Sequence, residues 1–313
     1  MAVIDDVRQV ASGWRWTRRP LAPRSAEPEP GPYDEPEFNT DWARTAAARA
    51  TREALLTAVF RPLVWNQTSV RVEGLDRLDA VTAPVVFVAN HSSHVDTPIL
   101  LCSLPRPWRQ RTAVGAATDY FFDIWWRAAT TALAFNTFPI ERTGGARATG
   151  TARRLLADGW NLVVFPEGTR SKDGWLGPWR HGAARLCCEF EVPAVPVAIR
   201  GSFLAMPRGR SWPKPGRPPV SIRYGPPLRP RPGEDYHDFS AAVRAALARL
   251  ADEDATTWYA SLRRDAAGET PSMHGPAAPS WRRVWEATRP PTAGGERRVW
   301  GRRSRAGVPQ KDR

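Results

Sequence analysis

The stretch from Val85 to Pro98 constrains the fold more than any other part of this chain. Its first four residues, Val85 to Val88, are all apolar, which is typical of a strand buried on both faces of a sheet. Thr97 and Pro98, followed by an apolar run, predict the N-terminal cap and first turn of a helix. The residues between form a turn where a strand passes into a helix, and in open α/β sheets ligands bind at that edge.

This turn carries a histidine and a carboxylate five residues apart, His91 and Asp96. An imidazole can accept a proton near neutral pH, and a neighbouring carboxylate fixes its tautomer and stabilises the imidazolium. The pair is therefore a candidate general base for a substrate hydroxyl. Two other interpretations stay open, a surface hydrogen bond without catalysis and a metal site that also uses His94. The remaining histidines do not extend such a metal site, and we expect no metal.

A second informative turn follows the apolar residues 162–165 and reads Pro166-Glu167-Gly168-Thr169-Arg170. Glycine lets the backbone approach a ligand closely, hydroxyl and N–H groups can bind phosphate oxygens, and the planar guanidinium of Arg170 matches a phosphate. The same composition is also common in solvated loops. Taken alone, the turn fits both interpretations.

Around these turns, short apolar stretches alternate with helical patterns. The predicted strands are residues 69–72, 85–88, 162–165, 192–199 and 220–224. Of these, 192–199 contains two prolines, which predicts an edge or bulged strand. We predict one α/β domain over residues 67–265, with a mixed sheet flanked by helices. The aromatic run in residues 119–135 fits core packing, the wall of an acyl-chain tunnel or contact with lipid.

Composition separates three further segments from this domain. Residues 1–38 are rich in proline and acidic residues, which predicts a disordered linker. Residues 39–66 predict an amphipathic helical extension that Thr40 caps and that Pro62 ends or kinks. Residues 266–313 are predicted to be a disordered basic tail, with ten basic and four acidic residues from position 268 onward, a net charge of +6.

Charge and cysteine usage narrow the class of protein further. The formal net charge of +13 favours an anionic partner, such as a phosphate ligand, an anionic lipid surface or nucleic acid. Three cysteines, two of them adjacent, make no disulfide framework and fit a reducing compartment. We expect neither a signal peptide nor a membrane-spanning segment, since acidic residues interrupt the N-terminus and residues 128–140 are too short to cross a bilayer.

Four separated stretches together resemble the glycerolipid acyltransferase family, most closely its 1-acylglycerol-3-phosphate acyltransferase branch. Residues 90–96 look like the HX4D block of that family. The stretches similar to its second, third and fourth blocks are residues 138–142, 165–171 and 192–196, in the order of the family. One position departs from the pattern, because the family often has a glycine four residues before Ile140, where this chain has Asn136.

The resemblance implies a glycerol-3-phosphate acyltransferase-like fold and an O-acyltransferase activity. A fatty acyl group would pass from acyl-CoA or acyl-carrier protein to the free hydroxyl of 1-acylglycerol 3-phosphate, giving phosphatidic acid. His91 would act as the general base with Asp96 orienting it, and neither cofactor nor metal is implied. The residues that match the blocks binding the glycerol phosphate are Arg142, Glu167, Gly168, Thr169 and Arg170.

The resemblance also implies partners and a location. The expected partners are a lysophospholipid acceptor, the acyl donor and an anionic membrane surface, with no nucleic acid. The protein would lie peripherally on the cytoplasmic side of the cell membrane. Within the same class, the acceptor could instead be another lysolipid, glycerol 3-phosphate or a glycolipid hydroxyl.

Two hypotheses from other classes stay open. One is a basic membrane-binding or nucleic-acid-binding protein driven by the arginines and tryptophans of its tail. The other is a metal-dependent hydrolase that uses His91, His94 and Asp96. Neither explains why residues 167–170 and 192–196 accompany the histidine turn.

Overall fold

The computed structural model describes residues 39–117, 125–140 and 150–289 of the chain. Within these ranges seven strands form one sheet in the order β1-β7-β6-β2-β5-β3-β4. The strands are β1 (Ser69–Glu73), β2 (Val86–Ala89), β3 (Thr112–Ala117), β4 (Thr137–Ile140), β5 (Asn161–Val164), β6 (Ala194–Arg200) and β7 (Pro219–Tyr224). Neighbouring strands run parallel except β6 and β7, which are antiparallel. The predicted mixed sheet is confirmed.

Helices cover both faces of this sheet, as predicted. They are α1 (Ala46–Leu55), α2 (Arg61–Gln67), α3 (Asp96–Ser103), α4 (Arg106–Gln110), α5 (Trp125–Phe135), α6 (Gly150–Ala157), α7 (Gly182–Phe190), α8 (Ser202–Ala205), α9 (Tyr236–Ala255), α10 (Trp258–Ala266) and α11 (Ser280–Ala287). Across the described ranges, each helix falls short of the length and hydrophobicity that a membrane span requires.

The core lies in two layers, one on each side of the sheet, and β2 shows why. Val85, Phe87 and Ala89 belong to a hydrophobic cluster that includes α2 and α3. Val86 and Val88 belong to a second cluster that includes α6, α7 and α9. Because successive side chains of a strand point to opposite faces, a strand covered on both sides must be apolar throughout. The turn that follows β2 begins at the carboxyl end of this buried strand.

Strand β6 lies inside the sheet, so the first of the two alternatives predicted for residues 192–199, an edge strand, is wrong. It pairs with β2 on one side and β7 on the other. Pro196 is tolerated because its main chain faces β7 at the end of the β6/β7 ladder, where a missing N–H costs little. Its carbonyl still accepts a hydrogen bond of 2.8 Å from the N–H of Gly225.

Strands β3 and β4 are missing from the sequence prediction. β3 consists mainly of small residues, which carry little strand signal, and β4 follows directly after α5 and contains Pro139. β4 is an edge strand, where proline is tolerated. At Gly115 of β3, the side chain of Ile140 occupies the space that a Cβ atom would need.

The segment of residues 39–66 is largely helical, although its start differs from the prediction. The helix cap is Thr45, whose side chain accepts a hydrogen bond from the N–H of Ala48, and not Thr40. A π-helical segment, Leu56–Phe60, joins α1 to α2. Pro62 lies in the first turn of α2 directly after it and does not end the helix, since a missing N–H is tolerated in a first turn.

The predicted disordered tail begins too early, because α11 lies inside it and is bonded to the domain. The indole Nε1 of Trp175 donates a 2.9 Å hydrogen bond to the carbonyl of Arg283, whose guanidinium pairs with Asp173 at 2.6 Å. Such contacts join distant positions, so composition alone does not reveal them. Residues 290–313, and the segment 1–38 also predicted to be disordered, lie outside the described residues.

Candidate active site

The turns after β2 and β5 meet at one edge of the sheet, since these strands are parallel neighbours. The peptide N–H of His91 donates a 2.7 Å hydrogen bond to Oε1 of Glu167. The carbonyl of His91 accepts one of 2.8 Å from the N–H of Ser171. The structure therefore brings the predicted base next to the residues of the third sequence block.

His91 and Asp96 form the hydrogen-bonded pair that their spacing predicts. Imidazole Nδ1 lies 2.9 Å from Oδ2 of Asp96, which is fully buried. The same oxygen accepts the peptide N–H groups of Ser92 at 2.7 Å and Ser93 at 2.8 Å. Oδ2 thus faces two peptide N–H groups and Nδ1 of His91. A carboxylate oxygen can only accept hydrogen bonds, so Nδ1 carries the proton. The lone pair of the neutral imidazole is then on Nε2, which is the atom that can take a proton.

The turn around this pair is fixed by its own polar side chains. Asn90 bonds to both the N–H and the carbonyl of Ile199, each at 2.8 Å, so it extends the contact between β2 and β6. The hydroxyl of Ser93 donates a 2.7 Å hydrogen bond to a carbonyl just after α8. Helix α3 begins at Asp96 and not after Thr97, because a proline fits anywhere in a first helical turn.

The imidazole ring is held from one side and reachable from another. It stacks on Phe165, with ring centroids 4.2 Å apart and an interplanar angle of 23°. The His91 side chain keeps 16% of its surface exposed, in contrast to buried Asp96. Sequence reasoning missed the role of Phe165, although it is the last residue before the turn of the third block. A substrate hydroxyl can therefore reach a ring whose orientation is set by its neighbours.

Glu167 lies beneath the turn, with both carboxylate oxygens bound to main-chain groups. Oε1 accepts the N–H of His91, and Oε2 accepts that of Gly177 at 2.8 Å. Burial raises the pKa of Glu167 to about 7, although these two hydrogen bonds act in the opposite direction. Glu167 thus connects the His91 turn to the loop of residues 171–177. Its contact with substrate stays a prediction.

The remaining residues of the second turn are more accessible. Gly168 has a φ of +66°, and a Cβ atom there would lie 2.9 Å from Nε of Arg180. Thr169 is exposed and Arg170 is half-buried. Burial lowers the pKa of His94 to about 4, and electrostatic interactions with Arg170 and His91 act in the same direction. Arg170 is therefore close enough to His94 in the first turn to favour its neutral form.

Asn136 stands where the resemblance predicts a glycine, and its backbone has a conformation that glycine favours. Its φ is +53°, in the left-handed region that glycine favours. Asparagine is one of the few other residues that adopt this region readily. Its amide Nδ2 donates a 3.0 Å hydrogen bond to the carbonyl of Thr112. Arg142 of the same sequence block lies outside the described residues.

The described part of the chain holds no set of ligands for the metal site that the sequence left open. There, no group of three or more histidine, cysteine, aspartate or glutamate side chains is placed to hold a metal ion. His91, His94 and Asp96 are close in sequence without forming such a group. The arrangement instead provides one oriented base and a neighbouring cation, which suits proton abstraction from a substrate that carries an anionic group.

Comparisons with known proteins show which sequences and folds this chain resembles. A sequence model of the acyltransferase family matches residues 69–200. A chloroplastic 1-acyl-sn-glycerol-3-phosphate acyltransferase of Brassica napus, BAT2, is 32% identical, covering 44% of this chain and 39% of that protein. The alpha form of the Mus musculus enzyme of that name is 30% identical, covering 47% of this chain and 50% of that protein. The chain thus spans half or less of these relatives.

A solved structure is also similar. It is the 1-acyl-sn-glycerophosphate acyltransferase PlsC from Thermotoga maritima, with a TM-score of 0.53 and 23% sequence identity. The superposition covers 68% of this chain and 82% of that one. At this identity the likeness concerns the fold alone, the mixed sheet with flanking helices described above.

Proposed function

We propose that this chain, whose residues 69–200 match the model of the acyltransferase family, acylates the free hydroxyl of 1-acylglycerol 3-phosphate to give phosphatidic acid. The donor is a thioester, either acyl-CoA or acyl-carrier protein. The names of the curated relatives support this acceptor. The observation that carries the proposal is the His91–Asp96 pair beside the turn that holds Gly168 and Arg170.

The reaction needs one proton acceptor and one proton donor, and His91 serves as both. Nε2 takes the hydroxyl proton while the acceptor oxygen attacks the thioester carbonyl carbon. The carbon–oxygen ester bond forms, the carbon–sulfur bond breaks, and the leaving thiolate takes the proton from the imidazolium. Buried Asp96 keeps Nδ1 protonated throughout, so Nε2 is always the atom that faces the reaction.

The acceptor phosphate requires donors near the base. Thr169 is exposed and Arg170 is half-buried, so they are the more accessible residues of the second turn, and the positive φ of Gly168 sets the shape of that turn. Arg142 is predicted to contribute from the second block. Holding the phosphate here would place the acceptor hydroxyl within reach of Nε2, which supports a glycerol phosphate over an uncharged alcohol.

The acceptor and the product are both membrane lipids, so the enzyme must work at a bilayer. The net charge of +13 supports binding to an anionic surface. We infer a peripheral position on the cytoplasmic face of the cell membrane.

The proposal is tested by thiol release from an acyl-CoA in the presence of a chelator. Wild type is compared with His91→Ala and with His237→Ala, which removes an exposed histidine at the start of α9. We expect release to depend on 1-acylglycerol 3-phosphate and to fall about a hundredfold to ten-thousandfold only in His91→Ala. Full activity of His91→Ala would overturn the mechanism. Release that no lysophospholipid stimulates would overturn the acceptor class.

A further inference from the structure

Helix α11 presents a continuous apolar face to solvent. Trp281 is 70% exposed, Trp285 53% and Val284 37%. Their spacing of three and four residues places them on one side of the helix. Arg283 and Ala287 are on the opposite side, where the helix contacts the domain. The helix geometry therefore gathers these side chains into one surface, which we call the outer face of α11.

The opposite side of α11 is firmly attached. The guanidinium of Arg283 donates hydrogen bonds to Asp173 at 2.6 Å and to the carbonyls of His274 and Pro276, each at 2.8 Å. Gly174 lies so close to the helix that a Cβ atom there would be 2.6 Å from Cβ of Ala287. Because the Arg283 side chain is hydrogen-bonded to Asp173 and Ala287 lies against Gly174, the domain sets the orientation of the outer face.

The attachment point of α11 is the loop that supports the base. This loop, residues 171–177, is bonded to the site at both ends. At its start, the N–H of Ser171 donates to the carbonyl of His91, and at its end, the N–H of Gly177 donates to Glu167. The outer face of α11 is therefore one loop away from the proposed reaction centre.

Cations border the outer face. The guanidinium of Arg289 lies 4.1 Å from the ring centroid of Trp285. The side chain of Arg282 is 57% exposed and pairs with Glu286 of the same helix at 3.1 Å. The sequence that follows α11, residues 290–313, contains seven basic and two acidic residues. A short helix with tryptophan and aliphatic side chains on one face and arginine at its border has the composition of segments that lie in a bilayer interface. Anionic lipids attract such neighbouring cations.

We propose that the outer face of α11 inserts into the headgroup region of an anionic phospholipid bilayer. The contact holds the His91 edge of the sheet at the membrane, where a lysophospholipid resides. This inference deepens the proposed function and rests on it for the use of the contact. Single-stranded nucleic acid would also pair arginine with aromatic rings, but Val284 between the two tryptophans favours hydrocarbon over bases.

Vesicle co-sedimentation of the full chain tests the proposal. Vesicles of equimolar phosphatidylcholine and phosphatidylglycerol are compared with vesicles of phosphatidylcholine alone. We expect Trp281→Ala combined with Trp285→Ala to lower the partition coefficient on the anionic vesicles about tenfold to a hundredfold. The matched control, Trp258→Ala combined with Tyr259→Ala, removes two exposed aromatic side chains of α10 and should keep wild-type partitioning.

Two results would overturn the inference: unchanged partitioning of the α11 variant, or binding that a single-stranded oligonucleotide abolishes. Far-ultraviolet circular dichroism checks that the variants fold, which the exposure of the replaced side chains leads us to expect. Thiol release with detergent-solubilised acceptor separates the two proposals. If wild type binds the vesicles but releases no thiol, the result counts against the proposed function alone. If wild type releases thiol normally and the α11 variant binds vesicles as wild type does, the result counts against the role of α11 alone.

Discussion

The two turns at the candidate site lie side by side but are built in opposite ways. In the turn after β2, polar side chains point inward: Asn90, Ser93 and Asp96 are buried, and each bonds to main-chain groups. In the turn after β5, Glu167 does the same, whereas Thr169 is exposed and Arg170 half-buried. The first turn uses its polar groups to fix its own shape, whereas the second leaves the side chains of Thr169 and Arg170 at least partly exposed.

This difference matches two different chemical tasks. A general base must keep one tautomer and one orientation, and a buried carboxylate with several donors provides both. A phosphate site must admit a ligand, so its donors have to remain open to solvent until the ligand arrives. The turn after β2 is therefore the rigid one and the turn after β5 the accessible one, and Glu167 links the two. Substitutions in each turn should therefore affect different quantities.

The largest effect is expected for Asp96→Asn. The amide oxygen can still accept the three N–H groups that Oδ2 meets, but the neutral amide no longer stabilises the imidazolium that forms on His91. Its NH₂ group would also take the place of Oδ1, which is buried without a hydrogen-bond partner in the described structure. We expect kcat to fall about a hundredfold to ten-thousandfold with little change in acceptor KM. Steady-state thiol release measures both, with the exposed Asp79→Asn as control. A kcat near the wild-type value would show that the negative charge of Asp96 does not support the base.

The link between the turns should show a pH-dependent stability. The pKa of Glu167 in the fold is about 7, above its ordinary value of 4.5, so the folded state binds the proton more tightly than the unfolded state. The contribution to stability is present below pH 4.5 and is lost as pH rises through 7. Relative to Glu167→Gln, which does not titrate, the unfolding free energy of wild type should fall by about 3 kcal/mol across this window.

Urea denaturation between pH 4.5 and 8 measures this difference. The control is Glu269→Gln, which replaces an exposed carboxylate and should follow wild type at every pH. A difference between wild type and Glu167→Gln that is constant with pH would contradict the raised pKa.

A smaller effect on a different quantity is expected in the accessible turn. In the proposed function, Arg170 holds the acceptor phosphate equally in the ground state and the transition state, and Arg170→Ala removes that cation. Acceptor KM should therefore rise about tenfold to a hundredfold while kcat is retained. Arg185→Ala, at an exposed position on α7, is the matched control. If Arg170→Ala lowered kcat and left KM unchanged, the division of tasks between the turns would be wrong.

The smallest effect is expected for His94→Asn. The pKa of His94 is lowered to about 4, so this side chain is neutral between pH 5 and 8 and cannot produce a titration there. We expect kcat to change less than about fivefold, in the range of one hydrogen bond, and the pH profile of kcat to keep its midpoint. A large loss that added divalent metal reverses would favour the metal-dependent alternative instead.

Local patterns were sufficient to predict the strand–turn–helix arrangement and the facing pair. The apolar run of Val85 to Val88 reports burial on both faces, and the spacing of His91 and Asp96 within one short turn lets their side chains meet. The alternation of apolar stretches and helical patterns likewise predicted the mixed α/β sheet, which the structure confirms. These features depend on neighbours a few residues away.

Other features were not predictable from local patterns. The central place of β6 depends on which strands flank it, and β3 has too little strand signal of its own. The inward direction of Glu167 depends on main-chain donors 76 and 10 positions away, His91 and Gly177. Within its own turn, Glu167 looks like any polar loop residue.

The sequence by itself therefore determined the chemistry at hand: a histidine, a carboxylate, a glycine turn and an arginine, each next to an apolar stretch. Tertiary structure alone decided which of these groups face inward and that α11 is attached to the loop beside the base. Arg283 and Asp173, which make that attachment, are 110 positions apart. The physical reason is that periodicity and turn chemistry act over a few residues, whereas burial and hydrogen bonding are settled only when distant segments meet.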